Sequence, residues 1–298
     1  MTLLSFITPT MHLARYIAIF IFCISTSLAF AQQYNFINYS IEEGLAQSQV
    51  NSIIQDNEGY LWVATLGGLS RFDSHRFKNF STENGLLDNE TTTLFKDYSG
   101  NIWIGTTGGI IKWDGLNFIS YRFPKNYELV HVISIAQDLE SRFILGTDGA
   151  GIFIFDSGKF LRISKQNGLP DDYVRAIVFD NEKSCWIGTR NGLCRLTGNK
   201  IERLNSEILD SLNISSIIAE NENTIWIATL GEGLFKLQNQ KLLNLNVNHG
   251  LISNHIRAAY QDTKKNIWIA TKVGICKFDG FQFQSFTKED GLKIENTK

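Results

Sequence analysis

Beyond residue 33 the chain is a succession of short apolar runs broken by polar turns. Val50 to Asp56 alternates apolar and polar residues and is rich in β-branched side chains, which predicts a strand. Asp56-Asn57-Glu58-Gly59 is a turn, and Tyr60 to Leu66 predicts a second strand. Gly67-Gly68 turns the chain into a third, Leu69 to Phe72. Asp73-Ser74 turns it into a fourth, Phe77 to Phe80, and Ser81 to Leu86 is a polar loop. The pattern then returns five times. Thr65, Thr106, Thr147, Thr189, Thr229 and Thr271 mark the copies, at spacings of 41, 41, 42, 40 and 42 residues. Four short strands in a unit of this length predict an all-β fold, a β-propeller of four-stranded antiparallel blades.

The complete repeats fall at about 45–85, 86–126, 127–168, 169–209, 210–250 and 251–292. A large residue recurs in the second strand: Trp62, Trp103, Phe143, Trp186, Trp226 and Trp268. Its size suits the gap between neighbouring blades. The third copy is read with Phe143 in that place and a first turn one residue short. An acid closes every first strand (Asp56, Asp97, Asp138, Asp180, Glu220, Asp262), where it can accept N–H groups of the next turn. A glycine always precedes the third strand and supplies a positive φ. Small residues four before each acid, such as Ser52 and Ala176, suit crowding about an axis and make the first strand the innermost.

The fourth strand carries an apolar pair three apart, and a seventh copy of that pair stands at the front, Phe36/Tyr39 in Tyr34 to Tyr39. Seven fourth strands thus accompany six sets of the other three. Either six blades close with a redundant outer strand, or the chain is the first part of a propeller of seven or more blades. The second is preferred, because an open sheet is an association liability. Residues 293–298 then start a further repeat or a tail.

Composition narrows the setting. Hydrophobic residues make up 43% and charged residues 19%, which suits a folded core. The net charge of −2 gives no electrostatic case for nucleic acid. Arg15, the apolar run Tyr16 to Ala31 and the small-x-small end Ala29-Phe30-Ala31 read as a signal peptide over 1–31, hence export to the periplasm or beyond. Cys185 and Cys194 lie on two arms of one hairpin, so a disulfide is open to them. Cys194 and Cys276 share one slot of the repeat, which favours a small buried residue instead.

These repeats resemble the two-component regulator propeller repeat. Asp97-Tyr98-Ser99-Gly100-Asn101-Ile102-Trp103-Ile104-Gly105-Thr106 through Trp113-Asp114-Gly115 carries the family pattern almost throughout. The copy with Phe278-Asp279-Gly280 and Asp290-Gly291-Leu292 is nearly as close, whereas copies four and five show Leu196-Thr197 and Leu237-Gln238 in place of the Asp-Gly turn. The resemblance implies an extracytoplasmic sensor module of a membrane histidine kinase, often one that senses oligosaccharides. A membrane-attached kinase output would follow it, a homodimer is one expected assembly, and no cofactor is implied. Two other readings stay open: a free-standing secreted propeller that binds carbohydrate or protein, and a propeller lyase or hydrolase.

A ligand is expected at one mouth of the central channel. Three slots vary while the framework repeats: seven before the acid, five before it, and just after the recurring Thr. The best group is Tyr173, Arg175, Arg190, His255, Arg257 and Lys272, with Glu90 and His131 beside them. Such side chains hydrogen-bond and stack on sugar rings. His131 and His255 share a slot and could ligate a metal, but two histidines without a third ligand carry no metal assignment. Glu90 and Asp148 could form an acid pair. No catalytic motif is present, so no catalytic residue and no enzymatic activity is assigned.

Overall fold

The computed structural model describes residues 36–180, 184–204, 206–221 and 223–293. The expected signal peptide, Tyr34, Asn35 and residues 294–298 lie outside the described residues. Twenty-four strands form six four-stranded antiparallel sheets, each built in sequence order. In blade one they are Val50–Gln55, Leu61–Thr65, Gly68–Phe72 and Phe77–Phe80. The first strands of successive blades lie side by side (Val50–Gln55, Thr91–Lys96, Val132–Gln137, Val174–Phe179, Ile214–Asn221 and Ile256–Gln261), which makes them innermost. The fold is a β-propeller with almost no helix.

Each blade is held by its acid. In blade two the Asp97 carboxylate accepts the backbone N–H groups of Ser99 and Asn101 on Oδ1, at 2.9 and 2.8 Å. Its Oδ2 accepts the indole N–H of Trp103 at 2.9 Å. The same indole-to-acid bond joins Trp62 to Asp56, Trp186 to Asp180, Trp226 to Glu220 and Trp268 to Asp262. A third-strand cation covers each indole face in turn: Arg71, Lys112, Arg195, Lys236 and Lys277. The tryptophan is therefore fixed at both its edge and its face.

Blade three corrects the sequence reading. Its first turn is not short, since Asp138 and Thr147 are nine apart, as Asp97 and Thr106 are. Ile144 pairs with Ala136 as Trp103 pairs with Phe95, so Ile144 and not Phe143 holds the tryptophan position. Phe143 stands one residue earlier, on the opposite face, with its ring 4.2 Å from that of Trp103 in blade two. Without an indole, Asp138 takes the guanidinium Nε of Arg142 at 2.7 Å. Opposite Ile144 stands Ile154 where the other blades place a cation. Three substitutions thus compensate one another.

Four of the linkers are alike. After the fourth strand, Ser81, Ser164, Asn246 and Thr287 start one-turn 3₁₀ helices with reciprocal caps. Gly85, Gly168, Gly250 and Gly291 end them at φ near +100°, and the leucine after the first three is buried. Gly68, before the third strand of blade one, is needed twice over. Its φ is +140°, and a Cβ there would lie 2.6 Å from the Phe80 carbonyl oxygen. Cys185, Cys194 and Cys276 are buried free thiols, so the hairpin disulfide does not form. Burial pushes the Cys185 thiol well above its usual range and the Cys194 thiol up to about 12.

The core consists of five apolar clusters, one between each successive pair of blades. No comparable cluster or first-strand contact joins blade six to blade one among the described residues. Residues 36–40 form no strand, so the expected N-terminal outer strand is not seen in its described part.

Candidate functional site

The three variable slots come together at one end of the inner hairpins. Each first strand carries a β-bulge, and in all six blades the bulged residue is the one five before the acid: Asn51, Thr92, Ile133, Arg175, Ser215 and Arg257. A bulge leaves its residue out of the ladder and re-aims its side chain. Here it aims sideways. Asn51 donates to the Thr91 carbonyl, Thr92 to that of Val132 and Ser215 to that of Ile256, each on the next blade. Arg175 instead donates from Nη1 to the Asn213 side chain of blade five.

The other two slots meet across blade boundaries. Isolated bridges pair Thr107 with His131, Asp148 with Tyr173 and Leu230 with His255. Within a blade, the backbone N–H of Asp148 bonds to the His131 carbonyl, and that of Arg190 to the Tyr173 carbonyl. The loop before the first strand and the hairpin after the second therefore share one face, as the sequence suggested.

On that face the candidates fall into small groups. The Glu90 carboxylate and His131 Nδ1 lie 3.2 Å apart, both side chains about one-third exposed. Glu90 thus meets His131 rather than Asp148. The Arg190 guanidinium lies 5.1 Å from the centre of the Tyr173 ring. His255 shares blade six with Lys272 and Arg257. Burial holds the His255 imidazole below its ordinary range, and the charges of Lys272 and Arg257 add to this. Neutral His255 is then the resting form at pH 7. Arg175, Arg190, Arg257 and Lys272 make no ion pair among the described residues. No group of three metal-ligating side chains occurs among the described residues, and His131 and His255 have different neighbours.

Sequence reasoning missed Asn213 as a partner and missed the bulges. One signal was available: two adjacent small or polar residues, such as Asn51-Ser52 and Ser215-Ser216, break the alternation at the bulge. A separate cavity of about 670 Å³ opens on the opposite face between blades four and five, beside Trp186, Arg195, Asn223 and Gln240. It holds none of the candidates.

The family described as Two component regulator propeller matches four segments, residues 44–67, 85–108, 168–191 and 250–272. Each runs from the linker glycine through the first two strands to just past the recurring Thr. Those four segments are similar to two-component regulator propeller repeats. Blades three and five go unmatched, and they are the two whose Thr-to-Gly hairpin is one residue longer, Thr147 to Gly151 and Thr229 to Gly233. Over 160 residues the chain is 27% identical to histidine kinase P4 of Formosa agariphila, covering 48% of this chain and 12% of the kinase. Its fold is similar to the extracellular domain of BT3049 of B. thetaiotaomicron, assigned as a hybrid two component system. The TM-score is 0.75 at 27% identity, over 86% of this chain and 36% of that one. The chain therefore spans only a minor part of either relative. A streptogramin B lyase shares the fold alone, with a TM-score of 0.67 at 17% identity over 85% of this chain and 86% of the lyase.

Proposed function

We propose that this propeller is the extracytoplasmic ligand-sensing module of a two-component signalling system. It binds an oligosaccharide at the rim built by Tyr173, Arg175, Arg190, His255, Arg257 and Lys272, with Glu90 and His131 on the neighbouring arc. Binding is passed to a membrane-attached histidine kinase output. The observation that carries the reading is the rim itself. Variable side chains of the loop before the first strand and the hairpin after the second gather on one face of a repeating frame, where Arg190 stacks on Tyr173 and Arg175 bonds to the Asn213 side chain, neither in an ion pair among the described residues. Cations left free to donate, beside a half-exposed tyrosine ring, suit hydroxyl recognition and stacking on sugar.

The relatives support the same setting, because the chain resembles a regulator-propeller repeat in sequence and an extracellular two-component domain in fold. Export is part of this proposal, with residues 1–31 as the signal peptide. So is the absence of turnover: a lyase or hydrolase needs more placed groups around the reacting bond than the Glu90–His131 contact supplies. The test is calorimetric titration with a panel of oligosaccharides. Arg190→Ala with Lys272→Ala removes two charged donors, each worth ~1.5–3 kcal/mol when bonded. Affinity for the bound glycan should fall by about 100-fold or more. Unchanged affinity in a folded double variant would place binding elsewhere.

A further inference from the structure

Where two blades meet, the second-strand indole of one is packed by rings at three recurring positions. Trp62 stacks on Phe80 and meets Trp113 of blade two, with Phe118 against Trp113. Trp103 has Tyr121 and Phe155, and Trp226 has Phe278, all within 6.0 Å. Between blades four and five the indole stays, as Trp186, but leucine stands at all three positions: Leu204, Leu237 and Leu242. Blades three and four also meet through aliphatic side chains, yet there Ile144 has replaced the indole as well. Side chains smaller than their site leave a void. Here it is the cavity of about 670 Å³ on the face opposite the rim, lined by Trp186 and the three leucines.

Two polar side chains of the same cavity lack partners. Thr224 is 1% exposed, and its hydroxyl makes no hydrogen bond among the described residues. At the same place, four after the acid, Asn101 and Asn266 give their amides to Asp97 and Asp262. In blade five the acid is Glu220, and its Oε2 accepts the Trp226 indole instead. The second side chain is Arg195. Its guanidinium lies 4.0 Å from the centre of the Trp186 ring, and its Nε is buried with no acceptor among the described residues. Glu202 stands opposite Arg195 in the sheet but makes no ion pair with it. Leaving a buried donor unpaired is costly, so two in one cavity mark a place for an acceptor.

We propose that the cavity between blades four and five is a second binding site, separate from the rim, for a small aromatic carboxylate. The ring takes the space that the leucines leave and packs beside Trp186 as Trp113 packs beside Trp62. The carboxylate accepts from Arg195 Nε, whose cation has no ion pair among the described residues, and the Thr224 hydroxyl offers a further hydrogen bond. Apolar walls with a few polar groups, at this volume, are the make-up of a small-molecule pocket. Each part of the ligand answers one observation. A neutral ring leaves Arg195 Nε unpaired, and a carboxylate without a ring leaves the leucine-lined space empty.

The test is calorimetric titration with indole-3-acetate, with the neutral indole-3-acetamide and the ring-free acetate as controls. The expected result is saturable binding of indole-3-acetate, with both controls weaker by about tenfold or more. Arg195→Lys keeps a cation over Trp186, as Lys112 and Lys236 do over their indoles, but removes the Nε donor. It should fold normally and weaken indole-3-acetate by about tenfold or more. Leu237→Trp with Leu242→Phe restores the side chains of blade two, Trp113 and Phe118. It should fill the cavity, abolish binding and leave the unfolding midpoint unchanged or higher. If that variant does not fold, Arg195→Lys decides alone. No saturable heat from the parent up to ~10 mM indole-3-acetate would overturn the proposal. So would equal affinity for indole-3-acetamide, or parent-like affinity in Arg195→Lys or in the folded, filled variant.

Discussion

Trp103→Phe is the sharpest probe of how a blade is held. The indole donates at 2.9 Å to Asp97 Oδ2, and Asp97 is only 8% exposed. Phenylalanine removes that donor and leaves Oδ2 with the Asn101 amide alone, at 2.8 Å. A hydrogen bond to a charged acceptor contributes ~1.5–3 kcal/mol, and the smaller ring forfeits about 1 kcal/mol of packing against Phe143 and Tyr121. The variant should lose about 2–4 kcal/mol in urea unfolding at pH 7. The pH dependence separates the two parts. Burial pushes the Asp97 carboxyl up, but the bonds from Trp103, Asn101 and Ser99 outweigh it, and the net shift is downward. A depressed folded pKa contributes stability above the unfolded value near ~4, and that stability is lost as pH falls below it. The difference between variant and parent should therefore shrink by about half between pH 7 and pH ~3. In the cycle with Asp97→Asn, the coupling should be at least ~1 kcal/mol. A loss below ~0.5 kcal/mol, or one equal at both pH values, would refute the hydrogen bond as the clamp.

Other outcomes follow from the same geometry. Gly68→Ala forces a Cβ to 2.6 Å from the Phe80 carbonyl at a φ of +140°, so it should cost ~2 kcal/mol or more by thermal or urea unfolding. Lys265 holds φ at +69° in the turn where blades one and two place Gly59 and Gly100, so Lys265→Gly should be neutral or stabilising by up to ~1 kcal/mol. Asp262 is held down to about 2, by the Asn266 amide first and the Trp268 indole next. Its folded value lies below the unfolded one near ~4, so its contribution is complete above that pH and disappears as pH falls toward about 2. Trp268 fluorescence during acid titration should report blade six loosening across that window, and Asp262→Asn should flatten the response.

The period, the strands and the innermost position of the first strand were legible because each rests on local chemistry repeated six times. Alternation marks the strands, and Gly68 and its equivalents mark the hairpins. Blade three was misread because sequence similarity favours matching Phe143 to a tryptophan, whereas register obeys the count back from Thr147. The compensating trio Ile144, Arg142 and Ile154 shows its logic only across paired strands. The rim was legible as three slots and not as a network. The Arg175–Asn213 and Glu90–His131 contacts join residues 38 and 41 apart in the chain, and nothing local announces them.

The most direct measurement of the sensing account is hydrogen exchange with and without the glycan that binds. The account predicts slowed exchange in the loops before the first strands of blades four and six and in the hairpins after Thr189 and Thr271. It predicts no change in the turns at Asn239-Gln240 and Asp279-Gly280 on the other face. Protection confined to that other face, or beside the cavity at Trp186 and Asn223, would contradict it.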